Sequence, residues 1–218
     1  MSAASAMVLE EHGEAEGRSI NWWGMIFFIT SEALIFANLI AAYLYLEIRQ
    51  GFWLLPNGEP LLVFSGPSLF PSILLLINTA ILWSSSFPAR FFGRALARGD
   101  QRQLKLWLIV TAIMGTIFVA LQFGVEYPHL VSLGLTPQAS IFGSAFFTLT
   151  GFHGLHVTVG VLFLVITWLR SLRGDFAGKR VFAVEAVEMY WHFVDAVWVA
   201  VFGVVYVPSL IYAIFGLH

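Results

Sequence analysis

Residues 141–169 read IFGSAFFTLTGFHGLHVTVGVLFLVITWL, without one Asp, Glu, Lys or Arg. A helix needs roughly 20 apolar residues to cross about 30 Å of hydrocarbon. This run exceeds that length, so it reads as a transmembrane helix with room to tilt. The rest of the chain agrees with it. Of 218 residues, 59% are hydrophobic and 11% charged, and the mean hydropathy is +0.82. A soluble domain carries about 25% charged residues, so this chain lacks the charge to coat a soluble fold. Four more apolar runs lie outside the quoted stretch: Trp22 to about Leu46, Leu69 to about Phe87, Leu104 to about Val125, and Val187 to Phe215. The pattern predicts an all-α polytopic membrane helix bundle with five transmembrane helices, spanning residues 19–218. Residues 1–18 carry Glu10, Glu11, Glu14 and Glu16 and are too acidic for a signal peptide; they read as a cytoplasmic tail.

Orientation follows from the basic residues. Arg90, Arg94, Arg98, Arg102 and Lys105 fall between the second and third spans, and Arg170, Arg173, Lys179 and Arg180 between the fourth and fifth. The loop from Glu47 to Ser68 has only Arg49, and Tyr127 to Ser140 has none. The positive-inside rule places the two basic loops in the cytoplasm, with the N-terminus cytoplasmic and the C-terminus outside. Trp22, Trp23, Trp53 and Trp107 sit near span ends, where interfacial anchors belong.

Ionisable groups inside hydrocarbon are costly and face a bundle interior or a cavity. Along a helix rising about 1.5 Å per residue, Glu32 lies roughly 15 Å past Trp22 and Asn78 roughly 14 Å past Leu69. On the same scale His153 and His156 lie roughly 18 to 23 Å past Ile141, and Asp195 roughly 12 Å past Val187. Polar groups from four helices thus reach similar depth, which predicts one buried polar network. Glu185, Glu188, His192 and Asp195 recur at three- and four-residue spacing and share one helical face. His153 and His156 share a face too. Gly143, Gly151, Gly154 and Gly160 on the same run permit close packing of neighbours.

Three chemistries fit such a network. Glu-x-x-x-His and His-x-x-His can supply metal or haem ligands. Carboxylates and imidazoles can instead hold helices together through interhelical hydrogen bonds, each about 0.6 to 2 kcal/mol. Glu32 reads equally as a proton-exchanging carboxylate and as a neutral acid that hydrogen-bonds across helices. The absence of cysteine from the sequence excludes disulfides, iron–sulfur clusters and a thiolate-bridged copper centre.

Several of these stretches resemble subunit III of the haem–copper oxidases, the cytochrome c oxidase family. GSAFFTLTGFHGLHVTVG at 143–160 is similar to that family's signature around His-Gly-Leu-His. YWHFVDAVW at 190–198 resembles its last-helix motif, and GMIFFITSE at 24–32 its Ser-Glu segment. Asn78-Thr79 and Glu126-Tyr127 match two shorter landmarks, all in family order.

The resemblance implies an accessory subunit beside a catalytic subunit I and a copper-bearing subunit II, in an oxidase that reduces oxygen and pumps protons. The haems and copper would lie in those partners, with no cofactor, metal or catalytic residue in this chain and no nucleic-acid partner. The histidines agree: only His153, His156 and His192 fall in spans, too few for a haem–copper core. Glu32 aligns with the family's buried carbodiimide-reactive glutamate. The implied roles are assembly, sustained proton uptake and protection from turnover inactivation. Membrane lipids are implied partners, including a bound phospholipid. The family's lipid cleft, however, borders two N-terminal helices that this five-helix sequence lacks. The implied location is a bacterial inner membrane, as a multi-pass component of the aerobic respiratory chain. Ser31-Glu32 and Asn78-Thr79 look more like the cytochrome c than the quinol type of oxidase. A stand-alone metal or haem redox protein would show bound metal or a Soret band. A proton-coupled transporter on Glu32 would show inverted repeats, and no repeat is evident.

Overall fold

Proline interrupts two of the helical runs of this chain, at Pro88 and Pro128. The computed structural model describes residues 19–50, 70–138, 141–176 and 181–208, and their secondary structure is entirely helical. The helices are α1 (Ile20–Gln50), α2 (Phe70–Ser84), α3 (Ser86–Arg98), α4 (Gln101–Leu121), α5 (Tyr127–Ser132), α6 (Ile141–Leu172) and α7 (Phe182–Val205). A π-helical turn, Gln122–Glu126, joins α4 to α5.

α2 and α3 form nearly one rod, interrupted at Ser85. Pro88 has no N–H to give the Ser84 carbonyl, so the ladder weakens there. The arginine-rich connection between the second and third spans is therefore mostly helix, not loop. It ends at Gly99, whose φ of 72° closes α3 in a left-handed turn. Asp100 then caps α4 by accepting from the backbone N–H groups of Arg102 and Gln103. Pro128 acts similarly at the far end of α4. It withholds an N–H one turn after Gly124, and the Tyr127 N–H reaches back five residues to Gln122 instead.

Four helical stretches are long and apolar enough to cross a membrane: Ile20–Arg49, Gln101–Ser132, Ile141–Leu172 and Phe182–Val205. α2, with 15 residues, supplies the fifth apolar column and runs on into α3. The last span begins at Phe182, ahead of the sequence-based start at Val187. Its expected end at Phe215, the acidic segment 1–18 and Trp53 lie outside the described residues.

The core lies along α7. Val184, Trp191, Val194, Trp198, Val201 and Val205 are buried on one face at alternating heptad-like spacing. That face meets α1, α3 and α6, while α4 packs on α2, α3 and α6. α1 buries only a stripe, Phe36 and Tyr43. The outward surface is apolar: Phe27, Leu34, Ile113, Leu155, Leu162, Ile166 and Val199 are all exposed. Such a belt suits a lipid solvent, not water. The small residues of the signature stretch admit aromatic rings. A Cβ on Gly160 would lie 3.1 Å from the Trp191 indole, and one on Gly154 would lie 2.6 Å from the Phe123 ring.

Candidate functional site

Two helices bring Glu32 and His156 together. Glu32 is one turn before Phe36 on the buried stripe of α1, and His156 lies mid-way along α6. Glu32 Oε2 is 3.0 Å from His156 Nε2. His156 Nδ1 is 2.8 Å from the Phe152 carbonyl oxygen. A carbonyl can only accept, so Nδ1 carries a hydrogen. Nε2 then either accepts from a carboxylic O–H or, as part of an imidazolium, donates to a carboxylate. In both forms the contact holds one proton and the pair is neutral. Neutral pairing is what makes an acid and a base tolerable in hydrocarbon. The Phe36 ring covers His156 edge-on at 5.0 Å. Tyr190 donates its hydroxyl to the His156 carbonyl at 3.3 Å.

His153, on the preceding turn, has a different environment. It stacks on Trp198 at 4.8 Å, with Phe118 and Phe36 edge-on at 6.0 and 6.3 Å. Neither ring nitrogen has a hydrogen-bond partner among the described residues. Trp198 is itself fixed by donating Nε1–H to Thr79 Oγ1 at 3.3 Å.

Asp195 is buried between α7 and α3, where Ser86 donates its hydroxyl to Oδ2. One turn earlier on α7, Trp191 donates its indole N–H to Ser85 Oγ at 2.9 Å. The break before Pro88 thus offers two adjacent serines to two α7 residues four apart. Neither serine stood out in the sequence. The available signal was the run Ser84-Ser85-Ser86 ahead of a proline inside an apolar span.

The remaining acids of the α7 stripe are half-buried. Glu188 Oε1 lies 3.9 Å from His192 Nε2. Its carboxylate occupies the space above Gly93 of α3, with Arg90, Arg94 and Glu185 in electrostatic range. Asn78 is buried on α2 and donates Nδ2–H to the Phe118 carbonyl of α4 at 3.3 Å.

The expected network therefore resolves into separate contacts. Glu32 meets His156, Glu188 meets His192, Asp195 meets Ser86, and Asn78 meets the α4 backbone. Among the described residues no hydrogen bond joins these contacts to one another. Phe36 lies against both imidazoles of the α6 pair instead. Among those residues no three His, Asp or Glu side chains converge to hold a metal ion. Such a site can store or pass a proton at Glu32–His156 and can tie helices together.

Comparison with known proteins supplies the remaining context. Residues 3–210 match the family model described as cytochrome c oxidase subunit III. Cytochrome c oxidase subunit 3 of Synechocystis sp. is 39% identical over 198 residues, covering 90% of this chain and 79% of that protein. The Thermostichus vulcanus protein of the same name is 35% identical over 185 residues, covering 84% and 85%. The Drosophila melanogaster one is 36% identical over 185 residues, covering 84% of this chain and 68% of its own length.

Proposed function

The chain belongs to the cytochrome c oxidase subunit III family and is an accessory subunit of a terminal oxidase, and we propose that it sustains proton supply during turnover through the Glu32–His156 pair. The observation that carries this reading is the 3.0 Å contact between Glu32 Oε2 and His156 Nε2, which joins α1 to α6 on the thinly buried flank of the bundle. A proton held between two side chains of opposed character can leave toward either one. A neighbouring catalytic subunit on that flank would draw on it.

In this reading the partners are the catalytic subunit I and the copper-bearing subunit II. The electron donor is cytochrome c, as the relatives' names suggest. Haems and copper stay in the partners, and phospholipid is held at a boundary shared with a neighbouring chain. The complex lies in a bacterial inner membrane, with the arginine-rich α3–α4 turn cytoplasmic and the C-terminus outside. Asp195 on Ser86, Asn78 on the Phe118 carbonyl and His153 stacked on Trp198 keep the helices in register around the pair. Assembly and protection from inactivation follow from the same packing.

Purifying the oxidase with and without this chain tests the proposal. Mass spectrometry of the purified complex should identify subunits I and II. The complex lacking this chain should start at a comparable rate and then lose activity faster under turnover. Equal lifetimes with and without the chain would refute the role, and recovery of the chain without those partners would refute the assignment of partners.

A further inference from the structure

A second polar site lies at the end of the bundle away from the arginine-rich turn. A cavity of about 190 Å³ opens between α2 and the π-helical turn, lined by Asn78, Glu126 and His129 with apolar walls that include Leu75. Two oxygens there want donors. Asn78 Oδ1 is buried and has no hydrogen-bond partner among the described residues, and neither does Glu126 Oε2. The Asn78 amide cannot turn to relieve this, because its Nδ2 donates to the Phe118 carbonyl. Glu126 is likewise held, since its Oε1 accepts from the Tyr206 hydroxyl at 2.5 Å. A π-helical turn is costly and recurs at functional sites. Here it is what carries Glu126 beside α2.

Orphaned buried acceptors are destabilising, so a donor belongs in this space. Among the lining groups the free donors are the imidazole of His129, half-buried at the rim, and the second N–H of the Asn78 amide, which cannot serve that residue's own Oδ1. We propose that the cavity is a hydrated chamber, in which water bridges Asn78, Glu126 and His129 and keeps Glu126 in contact with the aqueous phase at that end. Its volume is several times what one water needs, so it has room for more than one. Water supplies the O–H groups that both oxygens lack. Glu126 is then a solvated carboxyl at the opposite end of the bundle from the arginines, independent of the Glu32–His156 pair.

Radiolytic hydroxyl-radical labelling of the intact oxidase in lipid nanodiscs tests this. Leu75 is 3% exposed, and Leu82 and Leu108 are each 0% exposed. Radicals form where water is, so a hydrated chamber labels Leu75 on the order of tenfold faster than Leu82 or Leu108. Glu126→Leu replaces the solvated acid with methyl groups and should bring Leu75 down to the rate of the two controls. Labelling of Leu75 no faster than Leu82 in the unaltered oxidase would overturn the proposal, because the chamber is then dry or filled by lipid. So would undiminished labelling in an assembled Glu126→Leu complex. If that variant does not assemble, the comparison within the unaltered protein decides alone.

Discussion

The Trp191 indole fills the space that a side chain at Gly115 would need: a Cβ there would lie 2.3 Å from Trp191 Cη2 and 2.8 Å from Val161 Cγ2. Trp191 is fully buried and anchored at its N–H by Ser85. It therefore cannot swing aside, and α4, α6 and α7 meet around one ring.

Gly115→Ala should destabilise this chain within the oxidase by about 1–3 kcal/mol, the range for overpacking a filled core. The control is Gly24→Ala, where nothing lies within 4 Å of the added carbon. That change should be neutral or stabilising by up to about 1 kcal/mol, because alanine suits a helix better than glycine. Thermal dissociation of the chain from the purified complex measures both.

Ser86→Ala leaves Asp195 buried without its hydroxyl donor. The expected loss is about 1–3 kcal/mol, the cost of an unsatisfied buried polar group. The double variant Ser86→Ala with Asp195→Leu should recover part of that loss, since removing both partners removes the penalty. A double-mutant cycle on thermal stability would show the coupling, and simple additivity would contradict it.

The two histidines of α6 should respond differently to the same substitution. His153→Phe keeps the stack on Trp198 and removes no hydrogen bond, so its cost should stay under about 1.5 kcal/mol. His156→Phe deprives Glu32 of its partner and should cost about 1–3 kcal/mol. Parallel melting curves of the two variants in the assembled oxidase provide the comparison.

His192→Gln should be nearly silent in stability, within about 1 kcal/mol. Its contact with Glu188 is 3.9 Å long and half-exposed. A large loss on thermal dissociation would mean that a partner chain buries this stripe.

The membrane bundle was legible because its signal is local. Runs such as 141–169 need no tertiary information to be read as spans. The grouping of basic residues into two connections is equally local, and the orientation expected from it needs no tertiary information either. Which polar groups would touch was far less legible. Equal depth suggested a single network, yet residues three apart on one helical face still differ in direction by about 60°, enough to meet different neighbours. His156 turns to Glu32 while His153, one turn away, lies among aromatic rings. The glycines of α6 were recognised as close-packing positions, but not that indole and phenyl rings would fill the space. Ser85 and Ser86 stayed hidden because their importance depends on a break that Pro88 creates two and three residues away. Glu126 was visible only as a landmark, since its setting depends on a π-helical turn that periodicity cannot foresee.

In the proposed function a proton held between Glu32 and His156 supports sustained turnover. Glu32→Gln isolates it, because the amide can still donate to Nε2 and hold α1 on α6 but has no acidic proton to give. The activity of the assembled Glu32→Gln oxidase should be followed through continuous turnover. Subunit and lipid content should be normal and the initial rate near-normal, with a clearly shorter active lifetime. A lifetime equal to that of the unaltered enzyme, with assembly intact, would contradict that role.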